Sequence, residues 1–119
     1  MSELVTQRRY GVEDLGEDRL RLIVDSVTGA MPTDAIVIFG SYARGEATEE
    51  SDVDILVLTP LSGKSLREAY VDAGLRMWDL DKKTDFLVYN TEKFRGFIVG
   101  GASFARNVVK DGVVVYGQY

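Results

Sequence analysis

Two aspartates, Asp52 and Asp54, stand two positions apart at the head of an apolar run over residues 53–58. A Gly40-Ser41 pair lies ten residues upstream, directly after a second apolar run, Ala35 to Phe39. Alternate residues of a strand point to one side, so both carboxylates face the same way with β-carbons roughly 7 Å apart. Two ionised carboxylates that close call for cations between them. Magnesium suits them, because it takes hard oxygen ligands, commonly one or two carboxylates plus substrate phosphates. The Gly-Ser turn offers backbone N–H groups to a phosphate tail. Either piece alone has an ordinary explanation: a turn with a helix N-cap, or a solvated strand entry. In this order, with a strand expected on each side, they point to nucleotidyl transfer.

The elements that must position these residues follow from periodicity. An amphipathic helix is expected over residues 13–28, from the spacing of Leu20, Ile23, Val24 and Val27, with Gly29 at its C′ position. Residues 35–39 read as the first strand, and a short helix begins at Ser41. Residues 53–58 form a second strand, apolar on both faces beyond Asp54 and therefore central and covered on each side. Ser65-Leu66-Arg67-Glu68 fits a capping box for a helix whose one face carries Leu66, Ala69, Tyr70, Ala73 and Met77. Trp78, near its end, reads as a core anchor. A third strand spans 85–89, and Asn90 or Thr91 caps a helix bearing Phe94, Phe97 and Ile98. Gly100-Gly101 breaks that helix before another over 103–110, Gly112 suits a C′ stop, and 113–116 forms a last strand. The fold class is α+β, a small mixed sheet with helices packed against it.

Composition limits the chemistry. At 119 residues the chain reads as one domain burying about two-thirds of its unfolded surface. Zero cysteines remove disulfides and thiolate chemistry, and zero histidines remove the commonest general base and transition-metal ligand. Any metal chemistry must run on carboxylates. No apolar run approaches the about eighteen residues of a membrane span, and the N-terminus lacks a signal-peptide pattern, so the cytoplasm is expected. A net charge of −5, with fourteen Lys and Arg spread thinly, argues against long nucleic acid as substrate.

The run Gly40-Ser41-Tyr42-Ala43-Arg44-Gly45, followed after ten residues from the Gly-Ser pair by Asp52-Val53-Asp54, resembles the signature of the polymerase-β-type nucleotidyltransferase superfamily. The chain is most similar to its short members, the minimal nucleotidyltransferases. The resemblance covers the sequence from about Asp34 onward, including the ending 103–116. It implies a palm-like fold, with residues 1–30 as an N-terminal extension and helix and 34–116 as the nucleotidyltransferase core. It also implies a third acidic residue opening a later strand, and Asp85 in Thr84-Asp85-Phe86-Leu87-Val88-Tyr89 is the only good match. By that resemblance Asp52, Asp54 and Asp85 are catalytic and would hold two Mg2+ ions. Gly40 and Ser41 would hold the phosphates of ATP. Arg44 is the best charged candidate for the triphosphate, or else pairs with Glu46 or Glu49. Lys64, Arg67, Lys82 and Lys83 remain unassigned.

Larger relatives carry a second domain for the acceptor; none is expected within residues 1–119, so a partner or another copy is expected to supply that surface. The family's usual partner is a helical HEPN-type ribonuclease toxin, which the family member neutralises as antitoxin by transferring AMP to a tyrosine. Two alternatives stay open. One is adenylylation of a small hydroxylated molecule, as in aminoglycoside nucleotidyltransferases. The other is a non-catalytic antitoxin that binds by occlusion.

Overall fold

The computed structural model describes residues 9–118; the first eight residues of the expected N-terminal extension, and Tyr119, lie outside the described residues. A 3-10 turn at Val12–Leu15 leads into α1 (Gly16–Ala30). There follow β1 (Ala35–Phe39), the single-turn α2 (Gly40–Ala43), β2 (Val53–Thr59), α3 (Gly63–Arg76), β3 (Thr84–Asn90), α4 (Thr91–Val99), α5 (Ser103–Asp111) and β4 (Val113–Gly117). The four strands make one mixed sheet in the order β3-β2-β1-β4. β1 is antiparallel to both β2 and β4, whereas β2 and β3 run parallel, joined by the α3 crossover that parallel neighbours require. The α+β expectation holds, and β2 is central as its two-sided apolar pattern demands.

Strand alternation divides the core into two layers. Ile36, Ile38, Val53, Ile55 and Val57 meet Ile23 and Val27 of α1 and Ala69 and Ala73 of α3. Ala35, Val37, Leu56 and Leu58 meet Phe94 of α4 and Ala105 and Val108 of α5. Asp54 shares the second face with Leu56 and Leu58, so the carboxylate site grows from the rim of the α4–α5 layer. Asn90 caps α4, its side chain accepting from the Lys93 N–H at 3.1 Å.

Four local expectations change. Gly29 lies inside α1, which continues to Ala30 and closes with the Met31 N–H on the Val27 carbonyl. Pro32 then stops it, and Gly29 makes room for Arg76 of α3, whose guanidinium would sit 2.5 Å from a Cβ there. α3 starts at Gly63 with Ser62 at the N-cap, placing Ser65 within the first turn. The start is fixed by the 60–62 loop, tethered by the Asn90 amide to the Pro60 and Leu61 carbonyls. Trp78 is 82% exposed while Met77 takes the buried position, because α3 ends at Arg76 and turns the indole outward. Gly112 follows α5 in extended rather than left-handed conformation; a Cβ there would lie 2.4 Å from the Val108 carbonyl and 2.6 Å from Val37.

Candidate active site

The register of three strands assembles the site. Phe39, the last residue of β1, pairs with Asp54 of β2, and Asp54 pairs with Asp85 of β3. Partners in register present side chains on one face about 4.8 Å apart, so Asp85 stands beside Asp54. Asp52 precedes β2 by one residue and shares the parity of Asp54. The chain leaves β1 at Gly40 and folds back over Asp54. Gly40 has φ +72°, and a Cβ on it would fall 1.8 Å from Asp54 Oδ2. No L side chain fits between this turn and that carboxylate, so the Gly-Ser turn and the aspartates form one surface. Ser41 opens the turn with its carbonyl taken by the Glu46 N–H at 2.9 Å.

The ten-residue spacing is α2 plus a loop, and the loop is held at several points. The Tyr10 and Ala47 backbones exchange hydrogen bonds of 2.9 and 3.2 Å. The Thr48 N–H donates to Ser51 Oγ at 2.8 Å, forming the bend that delivers Asp52. Lys82 Nζ donates to the Glu49 carbonyl at 2.9 Å and lies 5.5 Å above the Tyr42 ring. Lys82 is thus a tether for this loop, a role carried by a main-chain acceptor that no sequence pattern displays. Tyr10 is a second tether, and its isolated bridge to Ala47 has no periodic signal in the sequence. Lys64 and Arg67 lie on α3, against the other sheet face from the carboxylates and beyond the opposite end of β2.

Asp54 is half-buried, whereas Asp52 and Asp85 are exposed. Burial pushes the Asp54 carboxyl above its ordinary value, and the charges of Asp85 and Asp52 push it further. Arg44 alone pulls the other way. Of the two expectations for Arg44, the structure shows the ion pair, Nε to Glu46 Oε1 at 3.0 Å. That pair is exposed, and Arg44 remains within the field of both Asp54 and Asp111. Among the described residues no three acidic side chains are drawn together as a set that would hold a metal ion unaided. Two carboxylates completed by substrate phosphates are nevertheless the donor set that magnesium uses. The crowded Asp54 and the bare Gly40 turn fit that arrangement: charge awaiting compensation beneath backbone with no side chain in the way.

Residues 18–115 match the family model described as nucleotidyltransferase domain. A Methanocaldococcus jannaschii protein named Putative protein adenylyltransferase MJ0604 is 36% identical over 81 residues, covering 68% of this chain and 76% of that one. A bifunctional uridylyltransferase/uridylyl-removing enzyme of Burkholderia orbicola is also 36% identical, over 77 residues, 64% of this chain but only 9% of the enzyme. Among solved structures, a toxin–antitoxin crystallised with AMP-PNP superposes with a TM-score of 0.57 at 25% identity, covering 83% of this chain and 73% of that one. No helix of the described residues is long and apolar enough to cross a membrane.

Proposed function

This chain belongs to the nucleotidyltransferase domain family and is a nucleotidyltransferase, and on that premise we propose that it transfers AMP from ATP to a tyrosine hydroxyl of a HEPN-type ribonuclease toxin, as that toxin's antitoxin. The observation that carries the chemistry is the alignment of Asp85 with Asp54 beneath the Gly40 turn. The likeness to a protein adenylyltransferase and to a toxin–antitoxin that binds an ATP analogue supports the donor and the kind of partner. The core at 34–116 carries the reaction as a single unit, with residues 1–30 as its extension, working in the cytoplasm.

Gly40 and Ser41 hold the β- and γ-phosphates through backbone N–H groups and the Ser41 hydroxyl. Arg44 leaves Glu46 to grip a phosphate oxygen, an exchange that costs little because the ion pair it gives up is exposed and screened by water. The acceptor hydroxyl attacks the α-phosphorus. Its oxygen forms the new P–O bond as the bond to the bridging oxygen breaks and pyrophosphate leaves. The hydroxyl proton passes to Asp85, the exposed carboxylate on the acceptor side. Asp52, Asp54 and Asp85 are the residues that would hold Mg2+, which when bound offsets charge on the attacking and leaving oxygens.

The test mixes the purified chain, ATP, magnesium and the helical protein encoded beside it, and reads intact mass. The partner should gain AMP, mapped to tyrosine, as its ribonuclease activity falls. An unmodified partner with a small hydroxylated metabolite gaining AMP would overturn the acceptor. The uridylyltransferase relatives favour one further reading, in which UTP is the donor; a UTP arm giving UMP–protein would establish it.

A further inference from the structure

The two edges of the sheet are built differently. β4 is irregular, with a register break against β1 between Ile36 and Val37. β3 runs seven residues in unbroken register with β2, and carries no proline, lysine or bulge to blunt its outer side. The Lys83 carbonyl accepts from the Val53 N–H, so odd-numbered residues of this stretch turn their backbone groups toward β2. Thr84, Phe86, Val88 and Asn90 therefore present theirs outward. Beside this edge, α3 exposes Val71, Leu75 and Trp78, and open grooves of about 570 and 280 Å³ run between that helix and the strand.

We propose that β3 pairs with β3 of a second copy of this chain, antiparallel about a two-fold axis at Leu87, joining two four-stranded sheets into one of eight strands. The occupant is a second copy because the edge is complementary to itself. Leu87 is the midpoint of Thr84–Asn90, so this register alone pairs the whole strand. It sets Phe86 opposite Val88, a pair of outward-facing residues able to exchange two hydrogen bonds, and Thr84 opposite Asn90, whose N–H faces outward while its carbonyl begins α4. No like charges oppose one another: Asp85 faces Tyr89, and Lys83 lies toward the end that carries Glu92. The α3 stripes of the two copies then close over the joint, covering Val71 and Trp78. Pairing also reaches the candidate active site, since Asp85 and Tyr89 are opposite on the carboxylate face. The second copy places a phenol beside Asp85.

Sedimentation or light scattering at about 50 μM should give twice the 13.2 kDa chain mass. The Val88→Pro protein should be monomeric with an unchanged far-UV spectrum, because the N–H it loses points outward and Pro is tolerated at such edge positions. Trp78→Glu, fully on the surface, should weaken the dimer without touching the strand. Register is tested by Leu87→Cys in this cysteine-free chain: directly opposed non-hydrogen-bonded residues about 4.5 Å apart lie within disulfide reach. It should cross-link under mild oxidation, whereas Val88→Cys should not. A wild-type monomer at 50 μM, a Val88→Pro dimer, or equal cross-linking from both cysteine variants would overturn the proposal.

Discussion

At Asp54, burial and the charges of Asp85 and Asp52 act together against ionisation, and only Arg44 acts for it. An acid whose folded pKa is raised above its ordinary 3.8 binds protons more tightly when folded. Without metal, its contribution to stability is therefore greatest below that ordinary value and declines as pH rises through the folded one. Asp54→Asn should melt higher than wild type at pH 7 in chelator, and the gain should vanish toward pH 3. Adding magnesium with ATP should then stabilise wild type and not the variant. A variant that melts lower at pH 7 would mean that Asp54 is satisfied by contacts rather than strained by charge. At Gly40 the reverse holds, since the residue matters for what it lacks. Gly40→Ala forces a side chain into left-handed backbone at about 1–2 kcal/mol and drives its Cβ into Asp54 Oδ2, so both melting temperature and transfer should fall. Both residues were legible because their spacing is local and their types unusual for the positions. Arg44 was legible only as a choice, because pairing with Glu46 depends on side-chain placement within an exposed turn.

Whole elements were read best where one signal sufficed. The continuous apolar runs of β1 and β2 admit no face but the interior, and the structure keeps them within a residue of the sequence expectation. Helix ends were read less well, because they are decided by what lies across from them. Ser65 has the residue pattern of a cap, yet α3 begins earlier because Asn90, from a different element, holds the loop before it. Gly29 looks like a helix stop, but it is a gap for Arg76 of α3. Trp78 looked like core because large apolar side chains usually are, and the end of α3 left it outside. Asn90 thus serves two elements, capping α4 and tying down the approach to α3. Asn90→Ala should cost about 1 kcal/mol for the cap alone and more if the loop loosens, measurable by denaturant titration. Phe94, fully buried between β2 and α5, should cost about 3–5 kcal/mol as Ala. Because α5 shares that layer with Asp54, Phe94→Ala should also weaken nucleotide binding.

Across the whole molecule, the carboxylate face and the β3 edge lie at one side of the sheet, while α1 and β4 lie away from them. On the proposed function, an acidic chain with this layout gains little from phosphate backbones, and we place the acceptor in a protein hydroxyl brought to Asp85. On the same proposal, binding such a partner and modifying it are separable, because the carboxylates proposed to hold Mg2+ occupy one rim of the fold and most of the surface lies elsewhere. The double variant Asp52→Asn, Asp54→Asn keeps side-chain shape and removes two anionic ligands. It should therefore stay folded and still bind the toxin, with transfer reduced by at least a hundredfold, about 2.7 kcal/mol in barrier. Co-expression then decides the mechanism. If neutralisation is chemical, cells making the toxin with the double variant should stop growing, and the recovered toxin should carry no added AMP. If the variant protects as well as wild type does, occlusion suffices and the carboxylates serve some other transfer.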